Sequence, residues 1–416
     1  MKYKKIDTKA FIVIILLLIM TSFLLLSFRE GSFDLFSFVF GSVFALYIYL
    51  EYCILKKIFP ELDSFALLSV QFLVTVGIIV LYRMDKDTAV KQFAVFSVSN
   101  IIMILTMLIV RKTHFIEVMI PFLMVLSLGL LVLPALFGRS IGGAKNWISI
   151  GGFSFQPSEF VKVLFILISA GYLKKHSGLK HLIPYFLFTA FCVLILMYER
   201  DLGAALLLCA VFLILYLVST GNIALTLTFT LCLAAAAYAC VKLFPHVQTR
   251  IDIWKDPWSR YQGEGYQIVQ GLIALASGGL TGTGIGLGLP SAIPASKTDY
   301  IFAVIGEEFG IIFGICLIMI YVIIVIRGIL AAIDADDLFD SLTVFGCCSM
   351  LAFQSFIIIS GVIKLLPLTG ITLPFVSYGG TSLITSMIML GVIEGIAVKN
   401  GEKEQIKLED FQDMII

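Results

Sequence analysis

Charged residues are scarce in this chain. Asp, Glu, Lys and Arg make up 14% of its 416 residues, whereas hydrophobic residues make up 60%. Soluble domains carry about 25% charged residues, and a soluble fold cannot bury this much apolar surface behind so few charges. The composition therefore excludes a secreted enzyme and a disordered scaffold. The net charge of +1 also gives no basic field that would attract nucleic acid.

Neither the histidines nor the cysteines indicate a metal centre. The four histidines have no zinc-ligand spacing: His114, His176, His181 and His246. The eight cysteines form no CxxC pair, and most lie inside apolar runs. We interpret them as small hydrophobic residues rather than as disulfides or metal ligands.

Long apolar runs are what the chain has in abundance. A bilayer core requires about 20 apolar residues per helix. Runs of this kind lie near 10–27, 35–52, 65–82, 93–110, 115–136, 159–173, 182–198, 202–218, 222–242, 300–326, 340–363 and 375–397. We therefore predict an all-α polytopic membrane protein with about twelve transmembrane helices.

The orientation of these helices is predicted from Lys and Arg in the short loops. Together, Lys and Arg are more frequent in the short loops on the side of the membrane that carries the N-terminus. This distribution predicts that both termini are cytoplasmic. The first run is followed by Arg29 and Glu30 without a cleavage site, so we interpret it as an uncleaved span. Two segments, 138–158 and 243–299, then face outward, and loops as long as the second are usually functional.

The first candidate residues follow the shorter outer segment. Pro157 and Ser158 are typical of a helix start, and Glu159 and Lys162 share a helix face. A capped helix end with an ion pair explains them about equally well. However, Lys162 lies inside an apolar run, where a charge costs about 2.5–3.5 kcal/mol on insertion scales and normally faces a polar cavity.

Acidic residues mark two further positions. Asp201 lies at the tip of a tight helical hairpin, where capping of the next helix is the simpler interpretation. Asp299 lies where the long outer loop enters a membrane helix, and Glu307 and Glu308 follow along that helix. Three carboxylates exceed what capping requires, so they predict an acidic, outward-facing cavity. Farther on, prolines and paired glycines in 365–382 indicate either a broken helix beside a site or close helix packing.

Five motifs resemble, in the same order, those of the shape, elongation, division and sporulation (SEDS) family, which includes FtsW, RodA and SpoVE. They are GGAKNWISIGGFSFQPSEFVK (142–162), DLGAALL (201–207), GEGYQIVQGLIALASGGLTGTGIGLG (263–288), TDYIFAVIGEEFG (298–310) and LLPLTGITLPFVSYGGTSLI (365–384). A cluster around Trp254 and Trp258 is more similar to the FtsW side of the family. Because the family core has ten spans, we predict extra N-terminal spans (1–90), a SEDS-like core (91–400) and a cytoplasmic tail (401–416).

The resemblance implies an activity and the residues that perform it. Family members polymerise lipid II into glycan strands outside the cytoplasmic membrane, with a class B penicillin-binding protein as partner. Asp299 matches the essential aspartate of the family, and Trp147 matches its outer-loop tryptophan. The other residues expected at the site are Glu159, Lys162, Asp201, Lys91, Lys145, Glu307, Glu308, Gln267 and Ser377.

Several positions differ from the family pattern. The usual Arg-Gln pair is Lys91-Gln92, which keeps the charge but loses the bidentate fork of arginine. Lys297 replaces the histidine that usually stands two residues before the essential aspartate. Ile358, Ser360 and Lys364 replace the usual asparagine and glycine residues, which affects helix packing there.

The implied reaction assigns a chemical role to Asp299. Lipid II polymerisation requires a sugar hydroxyl to attack an anomeric carbon that carries a lipid pyrophosphate. We expect Asp299 to take the hydroxyl proton as a general base. We expect Lys162, other basic residues near the cavity, or a divalent cation (Mg or Mn) to balance the pyrophosphate charge. A single displacement would invert the anomeric centre.

Two alternatives to an enzyme remain open. Intramembrane charges and broken helices also suit a lipid II flippase, which would show polar groups nearer the inner half of the membrane. Glu394 is the main candidate for such a group. A non-enzymatic division scaffold is the other alternative, and the retention of Asp299 is unfavourable to it.

Overall fold

The computed structural model describes residues 8–28, 31–111, 113–141, 144–150, 153–175 and 178–413. Their helices are α1 (Lys9–Ser27), α2 (Leu35–Ile58), α3 (Ser64–Met84), α4 (Lys86–Val110), α5 (Thr113–Val118), α6 (Ile120–Phe137), α7 (Pro157–Lys174), α8 (Gly178–Tyr198), α9 (Leu202–Thr220), α10 (Ile223–Leu243), α11 (Pro245–Lys255), α12 (Tyr266–Gly278), α13 (Ile301–Ile333), α14 (Leu338–Val362) and α15 (Gly380–Asp413). Three strands precede α7: β1 (Arg139–Ile141), β2 (Ala144–Ile150) and β3 (Phe153–Phe155). Two 3-10 turns lie at Trp258–Arg260 and Pro290–Ala292.

Each of the twelve predicted apolar runs corresponds to a helix. Within the described ranges, eleven helices are long and apolar enough to cross a membrane: α1 to α4, α6, α8 to α10 and α13 to α15. The remaining run forms α7, which has 18 residues but carries Glu159, Lys162 and Lys174. The predicted all-α polytopic membrane fold is therefore confirmed.

Helices α3, α14 and α15 lie at the centre of the bundle. Buried residues make up 89% of the membrane-spanning part of α3 but only 6% of that of α10. A helix that is apolar on every face is expected to be buried. Helix α15 packs closely against α4 because Gly391 and Gly395 face the α4 backbone. A Cβ at Gly391 would lie 2.7 Å from Met103 O, so the two backbones are nearly in contact.

A break in α13 accommodates the glycine-rich tract that follows α12. Gly310 has φ 84° and ψ 170°, which interrupts the helix one-third of the way along it. The freed amides of Ile311 and Ile312 donate to Gly279 O (3.0 Å) and Leu280 O (3.2 Å). A Cβ at Gly278 would lie 2.0 Å from Gly306 O. Glycine is therefore required where the tract lies against the bend.

The segment before α7 forms a small antiparallel sheet. Its strand order is β1-β2-β3, and Ile148 of β2 pairs with Phe155 of β3. The sequence analysis did not predict these strands, because they are too short for an alternating pattern to stand out from a loop.

Candidate active site

Asp299 lies in the turn that leads into α13. Ala295, at φ 54°, turns the chain so that its carbonyl accepts from Thr298 N (3.1 Å) and Tyr300 N (3.2 Å). Tyr300 is fully buried and anchors the turn, whereas Asp299 remains partly exposed. The carboxylate faces the segment between α14 and α15, since a Cβ at Gly370 would lie 3.7 Å from Asp299 Oδ2.

Ser377 fastens the α14–α15 segment (363–379) to the turn that holds Asp299. Its hydroxyl donates to Thr298 O (2.6 Å) and accepts from Leu373 N (2.9 Å). Tyr378 N donates to Lys297 O (2.9 Å). Ser377 is therefore placed beside Asp299, as expected, but both of these hydroxyl contacts are with backbone atoms. Its position suits support of the loop rather than contact with substrate.

The α3–α4 turn supports the same region from the other side. Gln92 is buried, and its amide donates to Ser377 O (3.1 Å). The Lys297 ammonium lies 2.6 Å from Asp85 Oδ2 and holds the pKa of that carboxyl well below its usual value. Lysine at this position therefore joins the Asp299 turn to the start of α4. Lys91, beside Gln92, is exposed on α4.

Burial and one nearby cation set the proton affinity of Asp299. Loss of solvent raises the pKa of Asp299 to about 6, while a hydrogen bond with Thr298 and the charge of Arg250 act in the opposite direction. Arg250 on α11 also donates to Leu368 O (3.2 Å), two residues before Gly370. Basic residues were expected near the cavity, but the sequence did not identify Arg250, since its loop position alone does not distinguish it from other basic residues.

Helix α11 is fixed against the end of α14. Trp254 Nε1 donates to Lys364 O (3.1 Å), and Lys364 Nζ donates to Lys255 O (3.3 Å). Lys364 has φ 62° and follows the C-terminus of α14. Ser360, buried on α14, accepts Leu365 N through its carbonyl (2.7 Å). The departures at Ser360 and Lys364 thus lie where α11, and with it Arg250, is attached.

Asp201 joins three chain segments: strand β2, the start of α7 and the start of α9. Its Oδ2 accepts from Asn146 Nδ2 (2.8 Å), Gln156 Nε2 (3.0 Å) and Ser158 Oγ (3.1 Å). Its Oδ1 accepts from Ala204 N (3.1 Å), which caps α9. The geometry supports the capping interpretation of Asp201. It also gives this carboxylate a second task, which is to hold the strand β2 and the start of α7 together.

The hairpin before Asp201 holds a second buried acid. Glu199 is 2% exposed, and neither carboxylate oxygen has a hydrogen-bond partner within the described residues. Burial, assisted by the charge of Asp201, raises the pKa of Glu199 to about 8. The sequence indicated only a charged hairpin tip, because burial of a turn residue depends on contacts with distant segments.

Glu159 and Lys162 form a buried ion pair on α7. Lys162 Nζ lies 2.7 Å from Glu159 Oε2 and donates to Gln354 Oε1 (2.9 Å). Thr385 Oγ1 donates to the same glutamate oxygen (3.0 Å). Lys162 is 2% exposed. This geometry favours the ion-pair alternative over a lysine that contacts the donor pyrophosphate.

The structure contradicts the prediction of an acidic cavity along α13. Glu308 pairs with Arg83 of α3 at 2.5 Å and accepts from Gly286 N (3.2 Å), while Glu307 accepts from Leu289 N (3.1 Å). Both glutamates are at most 7% exposed. They bind the glycine-rich tract instead of facing a cavity with Asp299, because the loop before α13 folds back across this face of the helix.

The remaining predicted residues lie at the edges of this region. Trp147 is half-buried on β2, opposite Arg139 of β1. Gln267 on α12 is half-buried and donates to Pro294 O in the loop before Asp299 (3.4 Å). Lys145 also lies on β2, but its side chain is outside the described part of the structure, as are Gly142 and Gly143.

Comparison with known proteins identifies the family. A sequence profile described as "Cell cycle protein", of the FtsW/RodA/SpoVE type, matches residues 54–402. The chain belongs to the FtsW/RodA/SpoVE family. The match begins within α2, so α3 lies inside it, although the sequence analysis assigns that helix to the extra N-terminal spans. The ten long helices that follow α2 among the described residues all start within the match.

Three similar proteins represent the family. The peptidoglycan glycosyltransferase RodA of Mycobacterium tuberculosis is 38% identical over 286 residues, which are 64% of this chain and 61% of that protein. The probable peptidoglycan glycosyltransferase FtsW of Bacillus subtilis is 32% identical over 385 residues, which are 85% of this chain and 95% of that protein. A chain from a structure described as a peptidoglycan synthase complex that coordinates polymerization and crosslinking is 25% identical. Its TM-score is 0.68, and the match covers 82% of this chain and 98% of that one.

Potential metal ligands are scarce in the part of the chain that the structure describes. Within the described ranges, no group of three or more His, Cys, Asp or Glu residues could hold a metal ion. Arg250 is the basic group whose charge acts on Asp299. The described residues of this site therefore do not fit a protein-bound divalent cation.

Proposed function

We propose that this protein polymerises lipid II into the glycan strands of peptidoglycan. The proposal rests on one observation above all: Asp299 is a partly exposed carboxyl group with a pKa raised to about 6, placed where three chain segments meet. Membership of the FtsW/RodA/SpoVE family, with relatives named peptidoglycan glycosyltransferases, supports the assignment.

The reaction is a single displacement at a sugar carbon. The hydroxyl oxygen of the acceptor forms a bond with the anomeric carbon of the donor. The bond from that carbon to the lipid pyrophosphate breaks, and its electron pair leaves with the pyrophosphate. Asp299 takes the hydroxyl proton. A pKa of about 6 suits a general base, because the carboxylate is mostly ionised at neutral pH yet more basic than an exposed aspartate. One displacement converts an α-linked donor into a β-linked strand.

The leaving pyrophosphate requires positive charge nearby. Arg250 is the best-placed group, since its charge already acts on Asp299 and its side chain is anchored at Leu368. Lys162 is less suitable because Glu159 and Gln354 occupy its ammonium. A divalent cation (Mg or Mn) stays a prediction, and no step above goes through a protein-bound metal.

The proposal includes a location and a partner. We expect both termini in the cytoplasm and Asp299 outside. Lys and Arg are more frequent in the short loops on the side of the membrane that carries the N-terminus. We expect a class B penicillin-binding protein as the transpeptidase partner. The similarity to a chain from a complex that coordinates polymerization and crosslinking supports that expectation.

A lipid II flippase remains the alternative with most physical support. Glu394 is buried near the far end of the bundle from Asp299 and accepts from Asp63 N (3.0 Å), and Asp63 pairs with Arg327. These contacts cap the start of α3, so they do not by themselves indicate a transport path. The position of Asp299 in an outer loop favours polymerisation.

Purified protein incubated with lipid II tests the proposal. We expect long glycan strands on gels, stimulated by the cognate transpeptidase, and none from Asp299→Ala. Asp336→Ala is the matched control, since this exposed acid lies at the opposite end of the bundle. Divalent cation and chelator arms test the cation expectation separately. Transfer of lipid II across the membrane of proteoliposomes, with no glycan strands formed, would instead favour the flippase.

A further inference from the structure

The turn that holds Asp299 is attached to the rest of the bundle on two sides. On one side, the α14–α15 segment binds its backbone. Ser377 Oγ donates to Thr298 O (2.6 Å), and Tyr378 N donates to the carbonyl of the preceding residue, Lys297 (2.9 Å). On the other side, the side chain of Lys297 reaches the start of α4. The backbone and the side chain of Lys297 therefore take part in both attachments.

The side chain of Lys297 is bound to a fixed part of the bundle. Its Nζ lies 2.6 Å from Asp85 Oδ2 and donates to Thr88 Oγ1 (3.2 Å). Asp85 Oδ1 accepts from Asp87 N (3.1 Å) at the start of α4, and Asp85 N donates to Leu81 O (2.7 Å) at the end of α3. Since α3 is the most buried of the described membrane helices, this carboxylate is held in place from both helices.

The turn depends on such attachments because part of it is strained. Ala295 has φ 54°, a conformation that is unfavourable for a residue with a Cβ. Thr298 Oγ1 donates to Ala295 O (3.3 Å), so this hydroxyl is bound within the turn. Tyr300 is fully buried, whereas residues 296–299 are half-buried. Asp299 thus lies in the less buried part of the turn, where its position follows from the contacts of its neighbours.

The ion pair is too exposed to act mainly through folding stability. The side chains of Lys297 and Asp85 are 37% and 35% exposed, and exposed ion pairs contribute little to stability. Removal of the lysine charge should therefore leave the unfolding temperature nearly unchanged. The reaction rate is more sensitive, since a general base must come within about 2.6–3.2 Å of the group that it deprotonates, and a displacement of about 1 Å can cost about 100-fold.

We propose that Lys297 is a positioning residue for Asp299. Its ion pair with Asp85 holds the turn against α4, while the α14–α15 segment holds it from the other side. The carboxylate therefore meets the acceptor hydroxyl at one fixed position. This inference rests on the proposed glycosyltransferase activity, and it assigns to Lys297 a role that is exerted through Asp299 and not through contact with the substrate.

Steady-state polymerisation by purified Lys297→Met tests this role. Methionine keeps most of the side-chain length but removes the charge, so we expect kcat to fall at least about tenfold while KM for lipid II stays unchanged. The acidic limb of the activity profile should stay in place, because the lowered pKa of Asp85 keeps that carboxylate ionised wherever Asp299 titrates. Lys297→Arg keeps the charge and should restore most of kcat.

Lys86→Met is the matched control. Lys86 follows Asp85 in the chain, and its Nζ lies 2.6 Å from Asp34 Oδ2. This second ion pair has the same length and is also partly exposed, but it joins α4 to the start of α2 instead of to the Asp299 turn. The control variant should polymerise lipid II as the wild-type protein does.

Hydrogen–deuterium exchange provides a measurement that requires no lipid II. The amides of Thr298 and Tyr300 both donate to Ala295 O, and they should exchange faster in Lys297→Met than in wild type or Lys86→Met. If Lys297→Met does not fold, Asp85→Asn removes the same ion pair from the side of α4. Its amide replaces one carboxylate oxygen with an NH₂ group, so this variant should show the same loss of kcat and the same faster exchange.

Three results would overturn the positioning role. The first is a wild-type kcat in folded Lys297→Met. The second is a higher KM at unchanged kcat, which would place Lys297 in contact with the substrate. The third is unchanged amide exchange in the turn. Absence of polymer from the wild-type protein, together with faster exchange in Lys297→Met, would contradict the proposed function and not the attachment of the turn.

Discussion

At the level of single residues, Asp299 provides the sharpest test. Because burial raises the pKa of Asp299 to about 6, the carboxylate that accepts the proton is lost as the pH falls through that value. We expect polymerisation to decline below about pH 6 and to be abolished at all pH values in Asp299→Asn, with folding unchanged. Strand length on gels across this pH range is the measurement. Near-normal strands from Asp299→Asn would exclude the general-base role.

Arg250 should also shift the pKa of Asp299, in addition to its proposed role beside the pyrophosphate. Its positive charge lowers the pKa of Asp299, so Arg250→Gln should move the acidic limb of the activity profile to higher pH. Arg250→Lys keeps the charge and should restore the position of that limb. A merely structural role would lower activity at every pH without shifting the limb, and that result would remove Arg250 from the site.

Variants of the buried Glu159–Lys162 pair on α7 distinguish a structural role of the pair from a chemical one. Replacing Glu159 or Lys162 alone leaves an unpaired buried charge, which typically costs about 3–5 kcal/mol. Because the ammonium of Lys162 is occupied by Glu159 and Gln354, we expect the double variant Glu159→Leu, Lys162→Met to be more stable and more active than either single variant. The comparison requires polymerisation and unfolding temperature at matched expression. A double variant as inactive as Lys162→Ala would instead indicate contact with substrate.

Sequence patterns located the key residues better than they assigned their tasks. Asp299 and Ser377 were expected at one site, and the structure places them together. Glu307 and Glu308 were expected there as well, but they bind the glycine-rich tract. Their spacing on α13 was visible in the sequence, whereas the return of the loop across that helix was not. Arg250 was missed for the same reason, since only the fold brings α11 to the carboxylate.

At the level of elements, the contact between the glycine-rich tract and α13 can be tested by adding one methyl group. Gly282 has φ 84°, and a Cβ there would lie 2.2 Å from Glu308 O. Gly282→Ala should therefore destabilise the protein by about 1–3 kcal/mol or more, as overpacking does. Thermal unfolding of the purified variants measures the loss.

Gly129 on α6 offers the matched control for that substitution. A Cβ at Gly129 would meet no atom within 4 Å, so Gly129→Ala should be neutral or slightly stabilising. Equal unfolding temperatures for both alanine variants would show that the tract does not press on the bend of α13.

Long elements were easier to predict from the sequence than short ones, because their residue pattern repeats more often. A membrane helix repeats one preference over about 20 residues, so all twelve apolar runs were recognisable. The strands β1 to β3 span seven residues or fewer, and their pairing depends on contacts across a turn. The bend at Gly310 depends on the carbonyls of Gly279 and Leu280, which replace bonds within the helix. No local pattern carries that information.

At the level of the whole molecule, the predicted orientation can be tested with cysteines introduced at exposed positions. Ser259 is exposed within the long segment 243–299, which is predicted to face outward, and Asp336 is exposed at the opposite end. A membrane-impermeant thiol reagent should label Ser259→Cys in intact cells, but Asp336→Cys only after permeabilisation. The exposed native cysteines, Cys232 and Cys316, are replaced by serine in both variants. The reverse labelling pattern would place Asp299 in the cytoplasm and contradict the proposed reaction.

The hydrogen bond from Ser377 to Thr298 also sets when the turn that holds Asp299 is completed during biosynthesis. It joins residues 79 positions apart, and the ribosome needs roughly 4–16 s to make that length of chain. A nascent chain that has completed α13 therefore contains Asp299 but lacks the segment that flanks it. The carboxylate is enclosed only as the final two membrane helices insert. A polypeptide that ends before Ser377 would thus leave the translocon with Asp299 in place but without the segment that fastens its turn.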